Sequence, residues 1–109
     1  MKERLASQVR QRREVPRRAD VRRLLYGAGL RSTGHRIALA DALLRAPDRR
    51  VTAEMLYDEV HSAQYEVSRA TVCTTLRQFE HAGLLRRTTV EGSKKAWFAV
   101  NRRITNRLT

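Results

Sequence analysis

The stretch Ser68–Gly83, SRATVCTTLRQFEHAG, narrows what this chain can fold into more than any other part of it. Ser68 suits a helix N-cap, because its hydroxyl can accept from an N–H that the first turn leaves without a partner. Gly83 can close the same helix in the positive-φ conformation that other residues avoid. Between them Val72, Leu76 and Phe79 recur at i, i+4 and i+7, a single apolar stripe at the helical period. Ala70, Cys73, Thr74, Arg77 and His81 fall on the other side, with Arg69 at its edge. That outer face holds no large hydrophobe, so a helix of this kind can come close to base edges in a DNA major groove. An ordinary solvated surface helix has the same pattern, and the stretch alone leaves both readings open.

The flanking segments supply the rest of a helix-turn-helix. After Pro16, the residues Asp20, Val21, Leu24, Leu25 and Ala28 give a helical pattern ended by Gly27 and Gly29. Thr33 can cap a helix from about Gly34 to Ala46, with Ile37, Ala40, Leu43 and Leu44 inward and Pro47 as a stop signal. Arg49-Arg50-Val51 reads as a brief extended segment. Thr52 caps the next helix, which runs to about Ala63 and buries Ala53, Leu56, Tyr57 and Val60; residues 64–67 form the turn. Beyond Gly83 the period changes to two, which predicts a strand over 84–90, a turn over 91–94 and a partner strand over 95–100. A basic hairpin behind a recognition helix is a wing. The predicted fold is therefore mainly α with a small β-hairpin, a winged helix-turn-helix over residues 18–101. A basic N-terminal arm (1–17) precedes it and a C-terminal tail (102–109) follows.

Charge favours a polyanionic partner. The chain has 23 Lys and Arg against 11 Asp and Glu, a net charge of +12 over 109 residues. Residues 1–36 hold eleven basic and three acidic residues, so two thirds of that surplus sits in the first third. No apolar run reaches the length of a membrane span, no broad apolar helix face suits a membrane surface, and a cytoplasmic protein is expected. A single cysteine excludes an internal disulfide. His35, His61, His81 and Cys73 form no HxH, CxxC or HxxxH pair, and neither a metal site nor an enzyme's nucleophile–base arrangement is expected.

Five separate stretches resemble the DNA-binding half of the ferric uptake regulator family, in its order and spacing over about residues 20–101. They are Gly29-Leu30-Arg31 with Arg36, then residues 52–57 (TAEMLY), residues 68–72 (SRATV), Phe79 with residues 82–85 (AGLL), and residues 91–94 (EGSK) followed by Phe98. Residues 53–59 and the Arg49-Arg50-Val51 lead-in look most like the iron response regulator branch, whose regulation involves haem. The resemblance implies a DNA-binding transcription regulator of the iron-responsive repressor type. It also implies that Arg50 and Ala99 stand where the family usually has a His and often a Glu as metal ligands. Val15-Pro16 stands where the haem-responsive branch often has Cys-Pro. Metal and haem sites are therefore expected to be lost, with no cofactor. The family's Ala-Thr-Val-Tyr-Arg or Ala-Thr-Val-Tyr-Asn becomes Ala70-Thr71-Val72-Cys73-Thr74, which shortens the reach toward bases. The family's dimerisation domain has no counterpart in NRRITNRLT, so a truncated, monomeric regulator is expected.

The expected partner is double-stranded DNA. Arg31, Arg36, Ser68, Arg69, Thr71, Cys73, Thr74 and Arg77 are the expected contacts of the helical part, and Arg86, Lys94 and Lys95 those of the wing on the phosphate backbone. The rival reading is a basic interaction protein that binds RNA or another regulator without reading DNA sequence.

Overall fold

The computed structural model describes residues 18–102. The expected arm over 1–17, and residues 103–109 of the expected tail, lie outside the described residues. Among the described residues, four helices precede a hairpin: α1 (Arg18–Gly27), α2 (Gly34–Leu44), α3 (Ala53–Ser62) and α4 (Arg69–His81). The strands are β1 (Arg50–Val51), β2 (Leu85–Thr89) and β3 (Ala96–Val100), in the antiparallel order β1-β3-β2. No described helix is long and apolar enough to cross a membrane.

Three of the helix starts follow one rule. Thr33, Thr52 and Ser68 each sit in extended conformation, with the side chain accepting from the backbone N–H three residues on. The ends fall where the chain can turn. Gly83 adopts φ +83° just beyond α4, and its N–H donates to the Glu80 carbonyl at 3.0 Å. An alanine there would meet no neighbour within 4 Å but would be held in the left-handed region. Gly83→Ala is expected to cost about 1 kcal/mol in a denaturant melt. An unchanged midpoint would mean that the turn relaxes freely.

The core lies between the helices and one face of the sheet. Val21 and Leu25 from α1, Leu39 and Leu43 from α2, Leu56 from α3, and Val72, Leu76 and Phe79 from α4 meet Leu85, Phe98 and Val100 of the hairpin. Thr75 is also buried, an unforeseen polar member of the α4 stripe. The short β1 is held from both sides. Val51 pairs with Phe98 and is fully buried, while Arg49 just before it forks onto Glu59 of α3 with two contacts of 2.7 Å. Arg49 also donates to the Ala42 carbonyl of α2 at 3.2 Å. Its hydrogen bond with Glu59 holds the Arg49 pKa above the ordinary value, against the opposing effect of burial. One side chain thus ties α2, α3 and the sheet together, and α4 packs across them with its outer face free.

Candidate nucleic-acid interface

The apolar stripe of α4 decides which of its residues face outward. With Val72, Leu76 and Phe79 buried, Arg69, Ala70, Cys73, Thr74, Arg77 and His81 are all exposed. Ser68 and Thr71 are used differently. The Ser68 hydroxyl accepts from the Thr71 N–H at 3.1 Å and donates to the Thr71 hydroxyl at 2.9 Å, so both side chains serve the helix start.

Beside this face runs a groove of about 600 Å³ between α4, the start of α3 and the hairpin. Cys73, Arg77, Glu80 and His81 line it from α4, Arg87, Lys95, Ala96 and Phe98 from the hairpin, and Thr52, Ala53 and Glu54 from the α3 start. Arg87 pairs with Glu80 at 3.3 Å, and Arg69 pairs with Glu54 at 3.5 Å. Arg77 and Lys95 take part in no ion pair among the described residues, which leaves the groove two free cations within reach of the helix. Lys94 is exposed in the wing turn next to Lys95.

Two of the expected contacts are placed elsewhere. Arg86 is the cross-strand partner of Ala99, whereas Arg87 is the partner of Phe98. Because side chains alternate across a strand, Arg87 shares the groove face with Phe98 and Arg86 points to the opposite face. Arg86 is exposed but does not join Arg77 and Lys95. Arg36 is half-buried and turned onto the fold itself. Its Nε and Nη2 donate to Gln78 Oε1 at 3.3 and 3.0 Å, and its Nη1 donates to the Arg31 carbonyl at 3.1 Å. Arg36 therefore acts as a strut that sets Arg31, itself exposed, beside the edge of α4 that carries Gln78. No spacing rule links residues 36 and 78, so the strut was not legible before folding.

Arg50 and Ala99, where the resemblance places metal ligands, are Cα partners across β1 and β3. A guanidinium presents N–H donors and no acceptor, and a methyl group has no lone pair, so this pair does not fit a metal ion. Arg50 lies instead with its Cζ 5.7 Å from the Trp97 ring centroid. No group of three or more His, Cys, Asp or Glu among the described residues is arranged to hold a metal.

The sequence profile of the ferric uptake regulator family matches residues 27–106. The ferric uptake regulation protein of Shigella flexneri is 36% identical over 73 residues, which cover 67% of this chain and 49% of that protein. The protein of the same name from Vibrio cholerae is 32% identical over 79 residues, 72% of this chain and 53% of its own length. The chain thus spans about half the length of the curated relatives it matches. Among solved structures, the ferric uptake regulator of Pseudomonas aeruginosa with manganese superposes with a TM-score of 0.69 at 35% identity, over 73% of this chain and 59% of that one. The Vibrio cholerae regulator gives the same TM-score at 31% identity, over 73% of this chain and 60% of its own. The helices and hairpin described above are shared with the winged-helix part of those regulators.

Proposed function

The chain belongs to the ferric uptake regulator family, and on that premise we propose that it is a DNA-binding transcription regulator of the iron-responsive repressor type. One observation carries the reading. The exposed face of α4 presents Arg69, Cys73, Thr74 and Arg77 with no large apolar side chain, directly beside a groove that holds the free cations Arg77 and Lys95. In this reading α4 enters the major groove, and Arg31, Lys94 and Lys95 meet the flanking phosphates. One winged unit carries one recognition helix, so one copy meets one half-site. Cys73 and Thr74 are short, and they can offer fewer base contacts than longer polar residues, each good contact being worth about 1–3 kcal/mol. Discrimination by a single unit is accordingly weak.

Titration against mixed-sequence duplex DNA and structured RNA at matched salt tests the class of partner. Tighter binding to the duplex is expected, since an α-helix fits the B-form major groove and not the deep, narrow groove of A-form RNA. A preference for structured RNA would instead support a basic interaction protein.

The Arg50–Ala99 pair supports a second part of the proposal, that DNA binding by this unit needs no metal at that position. Treatment with a strong chelator is expected to leave both the melting temperature and the duplex affinity unchanged. Stoichiometric zinc in the purified protein, with a clear fall in melting temperature on its removal, would contradict this.

A further inference from the structure

Arg69, the first residue of α4, is held on two sides by α3. Its Cζ lies 5.0 Å from the centroid of the Tyr57 ring. Its Nη2 lies 3.5 Å from Glu54 Oε1, with both side chains about two-thirds exposed. Tyr57 is itself fixed. It is half-buried against the core, and its ring stacks on His61 at 5.7 Å with an interplanar angle of 11°. Glu54, Tyr57 and His61 stand at i, i+3 and i+7 on α3 and so share one face. The guanidinium therefore lies over an aromatic ring that is itself packed against the core and stacked on His61. Glu54 engages one terminal nitrogen at long range, and most of the guanidinium's donors stay free.

We propose that Tyr57 and Glu54 are positioning residues that brace the Arg69 guanidinium for reading a base, with guanine as the matching chemistry. The inference rests on the DNA-binding reading given above. An exposed ion pair of this length contributes little stability, so its effect is on direction and not on folding. A free arginine samples many rotamers, and each must be lost when two donors meet one base edge; a braced one has already lost most of them. N-terminal residues of a recognition helix are those that reach base edges, and guanine O6 and N7 accept two parallel N–H groups. The carboxylate also argues against a phosphate role. Glu54 offsets the charge of Arg69 and would itself face the backbone, so what the pair offers DNA is a directed donor more than a net positive charge.

The test measures affinities and salt slopes for a duplex enriched by the wild-type chain and for single-base-pair variants of that duplex. Wild type, Arg69→Ala, Tyr57→Leu, Tyr57→Phe and Glu54→Gln are compared, each with a circular-dichroism melt. Arg69→Ala is expected to erase the preference at one base pair, by about tenfold or more, with an unchanged salt slope. Tyr57→Leu and Glu54→Gln are expected to reduce the same preference severalfold at that base pair only, while Tyr57→Phe keeps it. Should Tyr57→Leu fail to fold, the exposed Glu54→Gln variant carries the test. An Arg69→Ala chain that weakens all duplexes equally and lowers the salt slope by about one would show a phosphate contact and overturn the proposal. Folded Tyr57→Leu and Glu54→Gln chains with the full preference would overturn the brace alone. A wild-type chain that enriches no motif would overturn the DNA-reading function together with it.

Discussion

A fourfold rise in salt, from about 50 to about 200 mM, is expected to lower duplex affinity roughly 40-fold. Each phosphate neutralised by a cation contributes a slope of about −0.9 in log K against log salt. Arg31, Lys94 and Lys95 are exposed and in no ion pair among the described residues, and they stand around the exposed side of α4. Three such contacts give a slope of about −2.7, and that slope over a fourfold range gives the stated loss. Arg87 and Arg69 add little, because Glu80 and Glu54 already oppose their charge. The arginines of residues 1–15 should steepen the slope further, and deleting that segment should flatten it without changing sequence preference. A slope near −1 would mean that the cations around α4 do not meet the backbone together.

Phe79→Ala is expected to be the most damaging single substitution in the described fold. Phe79 is 1% exposed and lies with Leu24, Ala40, Leu43, Leu44, Leu84, Leu85 and Val100, where α1, α2, α4 and the hairpin converge. Removing a buried ring from such a site loses its transfer free energy and leaves a cavity, about 3–5 kcal/mol in all. Small domains have only about 5–15 kcal/mol to begin with. Urea denaturation should show a large fall in midpoint, and duplex affinity should fall with the folded fraction. A loss below about 1 kcal/mol would mean that α4 does not depend on this anchor. It would also weaken the case that the stripe fixes which residues face the DNA.

Local chemistry was legible in the sequence where it depends on neighbours along the chain. The caps at Thr33, Thr52 and Ser68, the turn at Gly83 and the stripe of Val72, Leu76 and Phe79 are each set within a few residues. What depends on pairing over distance was not. The two-residue β1 cannot announce that it will pair with β3, about 48 residues on. Leu39 and Ala42 are buried in a helix so apolar that its period gives no preferred face. Alternation says that Arg86 and Arg87 must point to opposite faces, but only the register against Phe98 says which one joins the groove. Arg36 reads as one more surface cation until Gln78, 42 residues away, is brought beside it. The brace on Arg69 was hidden for the same reason, since α3 and α4 meet only in the fold.

Selection of bound sites from a pool of random duplexes tests the central claim most directly. If the exposed face of α4 reads bases, repeated rounds should enrich a short motif that includes a guanine, and Arg77→Ala or Arg69→Ala should change which sequences are recovered. Recovery of unbiased sequences after several rounds, by a folded chain that still binds duplexes in a salt-dependent way, would contradict the claim and leave only an electrostatic attraction to nucleic acid.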